Sequence, residues 1–220
     1  KPHNAYYDRP ATLSLLPDVA GKRVLDVGCG PGFYAEWLVN HGAAVVAFDV
    51  TPDFVAITRE RVGNRATVLR ADLNERLDFA ADAAFDVALA PLVFDYFADL
   101  GPVFTELARV LKPGGLLVFS CGHPFSDWLL AAQRLGMGQR YFDIEAYEMA
   151  WKGFGEPYPV VRAYRRPLQA ILNPLLAAEL RLDHLLEPLP TEDFKQADPQ
   201  DYDKLMREPG FLCVRARKPG

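Results

Sequence analysis

Three glycines stand between a predicted strand and a predicted helix, in the stretch VLDVGCGPG at Val24–Gly32. Glycine adopts backbone angles that other residues avoid, and Gly28 and Gly30 leave no side chain that would block a ligand on the loop. Asp26 precedes the first glycine by two residues. In open α/β sheets, such a loop lies at the carboxyl end of its strand, where ligands bind. The spacing therefore predicts a cofactor loop with an acid beside it.

Two classes of cofactor use a glycine-rich loop of this kind. A dinucleotide fingerprint, GxGxxG, requires glycine at position 33, where this chain has Phe33. A dinucleotide also brings a pyrophosphate, which favours bare backbone amides at a helix N-terminus. S-adenosylmethionine carries an ammonium, a carboxylate and a sulfonium, and its net positive charge suits Asp26 better. The loop favours S-adenosylmethionine, and we expect the backbone of Cys29, rather than its thiol, to face the ligand.

The chain resembles the class I methyltransferases, in the broad group related to the ubiquinone and menaquinone biosynthesis methyltransferases (methyltransferase type 11). Four motifs carry the resemblance: VLDVGCGPG, VVAFDVT at the end of the second predicted strand, LRADLNE after the third, and LKPGGLLVFS leading into the fifth. The resemblance covers most of residues 5–122 and, weakly, the last fifty. It implies S-adenosylmethionine as methyl donor and S-adenosylhomocysteine as product.

The resemblance also implies binding roles at successive strand ends. The first motif would contact the methionine part of the cofactor, Asp49 the ribose hydroxyls and Asp72 the adenine amino group. In related enzymes an N-terminal aromatic stretch, here YYD, covers the cofactor. The implicated residues are Tyr7, Asp26, Gly28, Cys29, Gly30, Asp49, Val50, Asp72, Leu73 and Ala90. Taken singly, Asp49 could cap a turn, Asp72 could begin an Asx-turn, and Tyr7 could pack in the core.

The segment LAPLVFDYFADL, after the fourth predicted strand, would face the transferred methyl group. It lacks the Asn/Asp-Pro-Pro-aromatic motif, which weighs against methylation of adenine or of glutamine amides. Asp95, Tyr96 and His123 are the candidate catalytic residues, and no metal site is expected. Histidine can act as a general base near neutral pH, but His123 could instead bond to the loop backbone before Pro124. Asp95 stands where the family often has histidine, and Asp95 and Tyr96 could serve in helix capping and aromatic packing.

Apolar strands, the first at Arg23–Val27, alternate with helices of about ten residues between positions 23 and 122, and a loop leads to a final strand at Phe211–Arg217. Thr51 and Pro52 predict the start of one helix, and Asp99 could cap the next. The alternation of strands and helices predicts right-handed βαβ crossovers and a doubly wound, Rossmann-like α/β fold with a mostly parallel, seven-stranded sheet. We expect one domain over residues 1–220, with an N-terminal cap segment at 1–20. After Cys121 the pattern breaks, and the aromatic-rich residues 123–167 are predicted to be an inserted substrate lid before the last helix and two strands.

Five basic residues of the lid segment could bind an anionic group of the substrate, or form a solvated basic face. They are Arg140, Lys152, Arg162, Arg165 and Arg166.

The net charge of −5 argues against broad nucleic-acid binding, which needs a basic surface. No apolar run reaches the ~18–20 residues of a membrane span, and three scattered cysteines suggest neither a disulfide framework nor zinc. We therefore expect a cytoplasmic monomer or homodimer that methylates a small molecule. A catalytically silent module of the same fold, binding S-adenosylmethionine or a partner, is the alternative. Phe33 disfavours a nicotinamide-dependent oxidoreductase.

Overall fold

Strands and helices alternate along the first half of the chain, as the apolar pattern predicts. A computed structural model describes residues 1–134, 136, 140–150 and 156–220. Its strands, in chain order, are β1 (Arg23–Val27), β2 (Ala44–Asp49), β3 (Ala66–Arg70), β4 (Phe85–Pro91), β5 (Leu111–Gly122), β6 (Glu145–Ala150), β7 (Val160–Arg165), β8 (Arg181–Leu186) and β9 (Phe211–Arg217).

The helices pack beside these strands and cover the sheet. They are α1 (Arg9–Ser14), α2 (Phe33–Asn40), α3 (Pro52–Val62), α4 (Gly101–Val110), α5 (Pro124–Arg134), α6 (Gln169–Ala177), α7 (Glu192–Ala197) and α8 (Pro199–Leu205). A π-helical turn at Asn4–Asp8 precedes α1, and 3-10 turns lie at Gly63–Arg65 and Phe94–Tyr96.

The main sheet has seven strands in the order β3-β2-β1-β4-β5-β9-β8. The first five strands are parallel to one another, whereas β9 runs antiparallel to both β5 and β8. The predicted doubly wound, mostly parallel sheet is confirmed. Because the strand order reverses direction between β1 and β4, the carboxyl ends of these two strands open onto a crevice where ligands of such folds bind.

The strands read as continuous apolar runs because both faces of the sheet are buried. On one face Leu25, Phe85 and Phe119 pack in the core that α4 and α6 cover. On the other face Val24 and Val118 pack towards α2 and α3. Burying a leucine or phenylalanine side chain contributes about 1.5–3 kcal/mol, so alternate residues of each strand hold opposite helical layers in place.

Two helices begin where the sequence predicts. Thr51 is the N-cap of α3 and Pro52 occupies its first turn, where the missing N–H of proline costs nothing. The second helix is α4, which begins at Gly101. The N–H of Gly101 donates to Oδ1 of Asp99 at 2.9 Å. Asp99 therefore caps this helix from just outside it.

The segment after β5 has its own local structure. It begins with α5 and continues into a separate two-stranded antiparallel sheet formed by β6 and β7. The chain then returns through α6 to β8 and β9. Between those two strands lie α7 and α8, where the sequence pattern predicts only a loop. These helices are one to two turns long, too short for apolar periodicity, and side chains of Thr191 and Asp198 cap them.

Cys29, Cys121 and Cys213 are free and buried. Burial raises the pKa of the Cys29 and Cys213 thiols to about 12 and that of Cys121 well above its usual value. Within the described residues, no helix combines the length and the apolar character that crossing a membrane requires.

Candidate functional site

The loop at Gly28–Gly32 joins the carboxyl end of β1 to α2. Gly28, Gly30 and Gly32 have φ angles of 61°, 51° and 81°, a region that residues with side chains rarely adopt. A Cβ at Gly28 would lie 2.7 Å from Cγ2 of Val93, whereas a Cβ at Gly30 would meet nothing within 4 Å. The loop thus packs against the segment after β4 at Gly28 and leaves room for a ligand at Gly30.

Backbone groups of this loop are bonded within the protein. The N–H of Cys29 donates to Phe48 O at 2.9 Å, and the N–H of Gly32 donates to Cys29 O at 3.0 Å. The Thr58 hydroxyl, on α3, donates to Gly30 O at 2.7 Å. A phosphate-binding loop needs several free N–H groups pointing at the ligand. Because the amides of Cys29 and Gly32, and that of Gly30 as well, already have acceptors, the loop suits a cation-bearing ligand better than a pyrophosphate.

Asp26, the residue of β1 two positions before Gly28, has a fully buried carboxyl group. Neither of its oxygens has a hydrogen-bond partner of normal geometry among the described residues. Burial, and then the charge of Asp49, raises the pKa of Asp26 to about 8, and the N–H of Ala35 opposes this shift. An unpaired buried carboxyl group destabilises a fold, so its presence points to a ligand group that pairs with it.

Asp49 lies at the carboxyl end of β2 and reaches across to the loop. Its Oδ2 accepts a hydrogen bond of 2.9 Å from the N–H of Gly30, and its Oδ1 accepts one of 2.8 Å from the N–H of Thr51. The carboxylate is buried, whereas the next residue, Val50, is 52% exposed. An acid and an exposed apolar side chain therefore stand side by side at the edge of the crevice.

Asp72 follows β3 and forms the Asx-turn that its sequence allows. Its Oδ1 accepts from the backbone N–H of Asn74 at 2.9 Å and from the side-chain amide at 2.8 Å. The carboxylate is exposed, and Leu73 is buried beside it. Both bonds of the turn end on Oδ1, so the turn role and a ligand role for Oδ2 of Asp72 are compatible.

Two residues that were predicted to contact the cofactor, Tyr7 and Ala90, are buried inside the protein instead. Tyr7 is 1% exposed, and its ring packs against Phe194 and Phe211. Its hydroxyl oxygen accepts from the N–H of Gly210 at 2.8 Å. Ala90 has no exposed surface. The structure gives both side chains packing roles, because neither presents a surface to the crevice.

The N-terminal segment contributes two charged residues that the sequence reasoning did not single out. The Asp8 carboxylate is buried and accepts from the Tyr34 hydroxyl at 2.9 Å and from the Thr12 hydroxyl at 3.2 Å. The guanidinium of Arg9 lies 4.6 Å from the ring centre of Phe33, directly after the loop. Arg9 Nε is buried without a hydrogen-bond partner among the described residues. Arg61 also stacks on Phe33, at 4.2 Å, but donates to Pro31 O and to Glu36, so of these two guanidinium groups Arg9 is the one with an open buried donor.

His123 is held by hydrogen bonds on both ring nitrogens. The N–H of Phe125 donates to Nδ1 at 3.3 Å, so Nε2 carries the proton and lies 2.8 Å from Oε1 of Glu187. The acceptor nitrogen that a general base would use is therefore occupied by the backbone. This contact agrees with the alternative in which His123 bonds to the loop backbone rather than acting as a general base.

Asp95 and Tyr96 lie in the turn after β4, at the acceptor side of the crevice. Oδ2 of the half-buried Asp95 accepts from the N–H of Gly122, the last residue of β5, at 3.1 Å. Tyr96 is 38% exposed. A second acid, Asp127 on α5, lies against Gly122 as well, because a Cβ built there would overlap the carboxyl group of Asp127.

The alternative of a solvated basic face is wrong for two of the lid arginines. Arg165 is 1% exposed and pairs with Glu145, and Arg166 is 5% exposed. Arg140 and Arg162 are exposed, as that alternative expects, and Lys152 lies outside the described residues. Arg165 and Arg166 are buried because β7 packs against α5 and against the turn at Phe94–Tyr96 rather than facing solvent.

Comparisons with known proteins agree with this arrangement. A family model described as a methyltransferase domain matches residues 25–119. A malonyl-[acyl-carrier protein] O-methyltransferase of Serratia marcescens is 31% identical over 70% of this chain and 58% of its own length. A ubiquinone biosynthesis O-methyltransferase of Xanthomonas oryzae pv. oryzae is 34% identical over 49% of this chain and 46% of its own. The aligned region thus spans about half the length of these two relatives.

A solved structure covers the chain more fully. The S-adenosylmethionine-dependent methyltransferase of Mesorhizobium loti is 26% identical, and the match covers 94% of this chain and 96% of that one with a TM-score of 0.74. This chain belongs to the class I S-adenosylmethionine-dependent methyltransferases. The cofactor of the family is S-adenosylmethionine, and its product is S-adenosylhomocysteine. The preference for this cofactor over a dinucleotide is confirmed.

Three residues of this methyltransferase were missed from the sequence. Thr58 bonds to the loop from α3 and Arg9 stacks on Phe33, the residue after the loop, and such contacts between distant segments leave no signal in a single sequence. Asp127 lies within the aromatic-rich segment, beyond the region that the family model matches. The available signal was Gly122, because a glycine at a strand end marks a place where another group approaches closely.

Proposed function

We propose that this protein transfers a methyl group from S-adenosylmethionine to a small-molecule acceptor by direct in-line displacement. The observation that carries the proposal is Asp26, a buried carboxyl group without a partner, below the open space at Gly30. A ligand ammonium group would supply the missing partner. The donor set therefore fits the charged end of S-adenosylmethionine.

The remaining cofactor contacts follow from the chemistry of each side chain. Arg9 would hold the carboxylate of the methionine part, because its guanidinium lies beside Phe33 with Nε unpartnered. Asp49 would hold the ribose hydroxyls. The adenine would lie between the exposed Val50 and the turn at Asp72 and Leu73.

When bound, the cofactor supplies a methyl group that its sulfonium makes reactive, so the protein mainly aligns the acceptor. The lid segment is suited to that task. Trp128 on α5 lies 6.0 Å from the ring of Tyr141 and 5.9 Å from that of Phe125, between ring centres. Ligand sites are largely apolar with few polar anchors, and this aromatic cluster would cover the acceptor and exclude water.

Both relatives are named O-methyltransferases, and the name of the one from ubiquinone biosynthesis supports a small acceptor. The net charge of −5 favours a small molecule over a nucleic acid. With its three buried, free cysteines, we place the enzyme in the cytoplasm, as a monomer or homodimer.

The decisive experiment uses S-adenosylmethionine labelled in the methyl group, incubated with the protein and fractionated cell metabolites. We expect label in a discrete small-molecule fraction, identified by mass spectrometry, and no label with Asp49→Ala. Asp203→Ala, at an exposed acid on α8, is the matched control and should transfer normally. Calorimetric binding of the cofactor without transfer to any fraction would favour the silent module instead.

A further inference from the structure

Two carboxyl groups flank the last residue of β5. Asp95, after β4, accepts the N–H of Gly122 at 3.1 Å, and the carboxyl group of Asp127 occupies the place of a side chain on that glycine. Both acids are half-buried. The adjacent ends of β4 and β5 therefore bring together two acids that are 32 residues apart in the sequence, and we call them the Gly122 acid pair.

The lid segment places a cation against this pair. Arg166, at the end of β7, is 5% exposed, and its Nε is buried without a hydrogen-bond partner among the described residues. One of its other nitrogens donates to Phe97 O. Burial raises the pKa of Asp95, and the charge of Arg166 opposes that rise. A buried guanidinium with an open donor points to a ligand at the same place.

Other titratable groups face the pair from each neighbouring element. Tyr147 on β6 has its pKa raised by burial and then by the charges of Asp127 and Asp95. Asp8 and Cys121 also interact with the pair, Asp99 and Tyr164 interact with Arg166, and Tyr96 interacts with Tyr147. None of these groups is a cation, so the single charge of Arg166 can offset one negative charge of the pair and not two.

The pair therefore retains a proton at neutral pH. Burial raises the pKa of both acids, and the charge of Asp95 helps to raise that of Asp127 to about 8. Two carboxyl groups this close titrate as a unit rather than independently. The raised pKa of Asp127 keeps a proton on the pair, and the charge of Arg166 favours the ionised form of Asp95.

We propose, resting on the methyltransferase function above, that the Gly122 acid pair binds the methyl acceptor and accepts its proton, and that the acceptor group is a neutral hydroxyl. The hydroxyl proton passes to the ionised carboxylate. The oxygen lone pair forms the new C–O bond as the S–C bond of the donor breaks, and that bonding pair stays on sulfur. The proton then leaves to solvent, and the carboxylate is restored.

The charges of the site select this acceptor class. A carboxylate acceptor would be repelled by the ionised acid and would need no proton acceptor. An ammonium group would compete with Arg166, which already supplies the positive charge beside Asp95. A neutral hydroxyl can donate to the carboxylate and accept from the open Nε of Arg166.

The first test measures protonation rather than activity. Infrared difference spectra of the protein, recorded from pH 5 to 9, should show the carbonyl band of a protonated carboxylic acid that disappears near pH 8. Asp26 titrates in the same range, so the spectra are taken in an Asp26→Asn background. The band should be absent when Asp127→Asn is added and unchanged when Asp203→Asn is added. A band that survives Asp127→Asn would overturn the assignment.

The second test separates acceptor chemistry from cofactor binding. Asp127→Asn and Asp95→Asn should bind S-adenosylhomocysteine within about twofold of the native protein, while methyl transfer falls at least ~100-fold, as for loss of a general base. Transfer within about threefold of native would overturn the role of the pair. Failure of the native protein to bind S-adenosylhomocysteine would instead contradict the proposed function itself.

The labelled product tests the acceptor class. A methyl ether keeps its label in mild alkali, and mass spectrometry should locate the methyl group on oxygen. Label released as methanol would reveal a methyl ester, and a methyl group on nitrogen would reveal an amine. Either result would overturn the hydroxyl assignment.

Discussion

The carboxylate of Asp49 accepts a hydrogen bond of 2.9 Å from the backbone N–H of Gly30. The acid that ends β2 thus holds the loop that follows β1. In a class I methyltransferase these two segments bind different parts of one cofactor, so their positions are coupled before the cofactor arrives. A change at Asp49 should therefore affect both the ribose contact and the loop.

Asp49→Ala should weaken binding of S-adenosylhomocysteine at least tenfold, which corresponds to about 1.4 kcal/mol. The change removes the proposed ribose contact and leaves the N–H groups of Gly30 and Thr51 without their acceptor. Isothermal titration calorimetry measures the effect, with Asp203→Ala as the control. Unchanged affinity in Asp49→Ala would contradict the assignment.

Asp26→Asn should make the thermal stability of the protein less dependent on pH. Because the pKa of Asp26 is raised in the fold from 3.8 to about 8, the unfolded chain loses a proton that the folded chain keeps. Stability from this group is therefore intact below about pH 4 and falls as the pH rises towards 8. Asparagine does not titrate, so the variant should match the native protein near pH 4 and melt at least ~3 °C higher at pH 8.

Scanning calorimetry between pH 4 and pH 8 measures this difference. Parallel melting curves for the two proteins across that range would argue against a buried, protonated Asp26. The same variant should bind S-adenosylhomocysteine at least about tenfold more weakly, because it lacks the charge that pairs with the ligand ammonium.

Arg9→Ala should weaken binding of a ligand that has the amino-acid part of the cofactor and leave binding of a ligand without that part nearly unchanged. S-adenosylhomocysteine has a carboxylate for Arg9 to hold, whereas 5′-methylthioadenosine lacks the amino-acid part. We expect affinity for the first to fall at least ~5-fold and affinity for the second to stay within about twofold, since a charged hydrogen bond contributes about 1.5–3 kcal/mol. An equal loss for both would mean that Arg9 acts only by packing on Phe33.

Thr58→Val should loosen the loop while keeping the side-chain volume. The change removes the hydroxyl that donates to Gly30 O at 2.7 Å, at a cost of about 0.5–1.5 kcal/mol. We expect the melting temperature to fall by about 2–4 °C and S-adenosylhomocysteine to bind about threefold more weakly.

Thr105→Val is the matched control for that variant. Thr105, on α4, also donates its hydroxyl to a backbone carbonyl, that of Gly101, at 2.9 Å. The Thr105→Val variant should have a lower melting temperature but an unchanged affinity for S-adenosylhomocysteine. If both variants bind equally well, the contact from α3 does not position the loop.

Much of the parallel core could be predicted because its strands are buried on both faces. The predicted strands Arg23–Val27 and Phe211–Arg217 match β1 and β9 residue by residue, and α3 begins at the predicted Pro52. Apolar runs, glycine turns and proline starts are local signals, and the local sequence sets these elements.

The arrangement of residues on the acceptor side of the crevice could not be predicted from the sequence in the same way. In the hairpin, β6 begins with three half-buried residues in a row, Glu145–Tyr147, and β7 buries Ala163 and Arg165, so it lacks the continuous apolar runs of the core. Asp127 meets Asp95 only because two strands end side by side, and Arg166 reaches them from a third element. Such tertiary contacts depend on the whole fold.

The three cysteines have a practical consequence for following the lid. Since the thiolate is the reactive form, buried thiols with raised pKa values should resist maleimide labelling while the protein is folded. A single cysteine placed at Val160 on β7, which is 64% exposed, would then carry a fluorophore without removal of any native cysteine. The motion of the lid segment during turnover becomes directly observable in the otherwise unmodified chain.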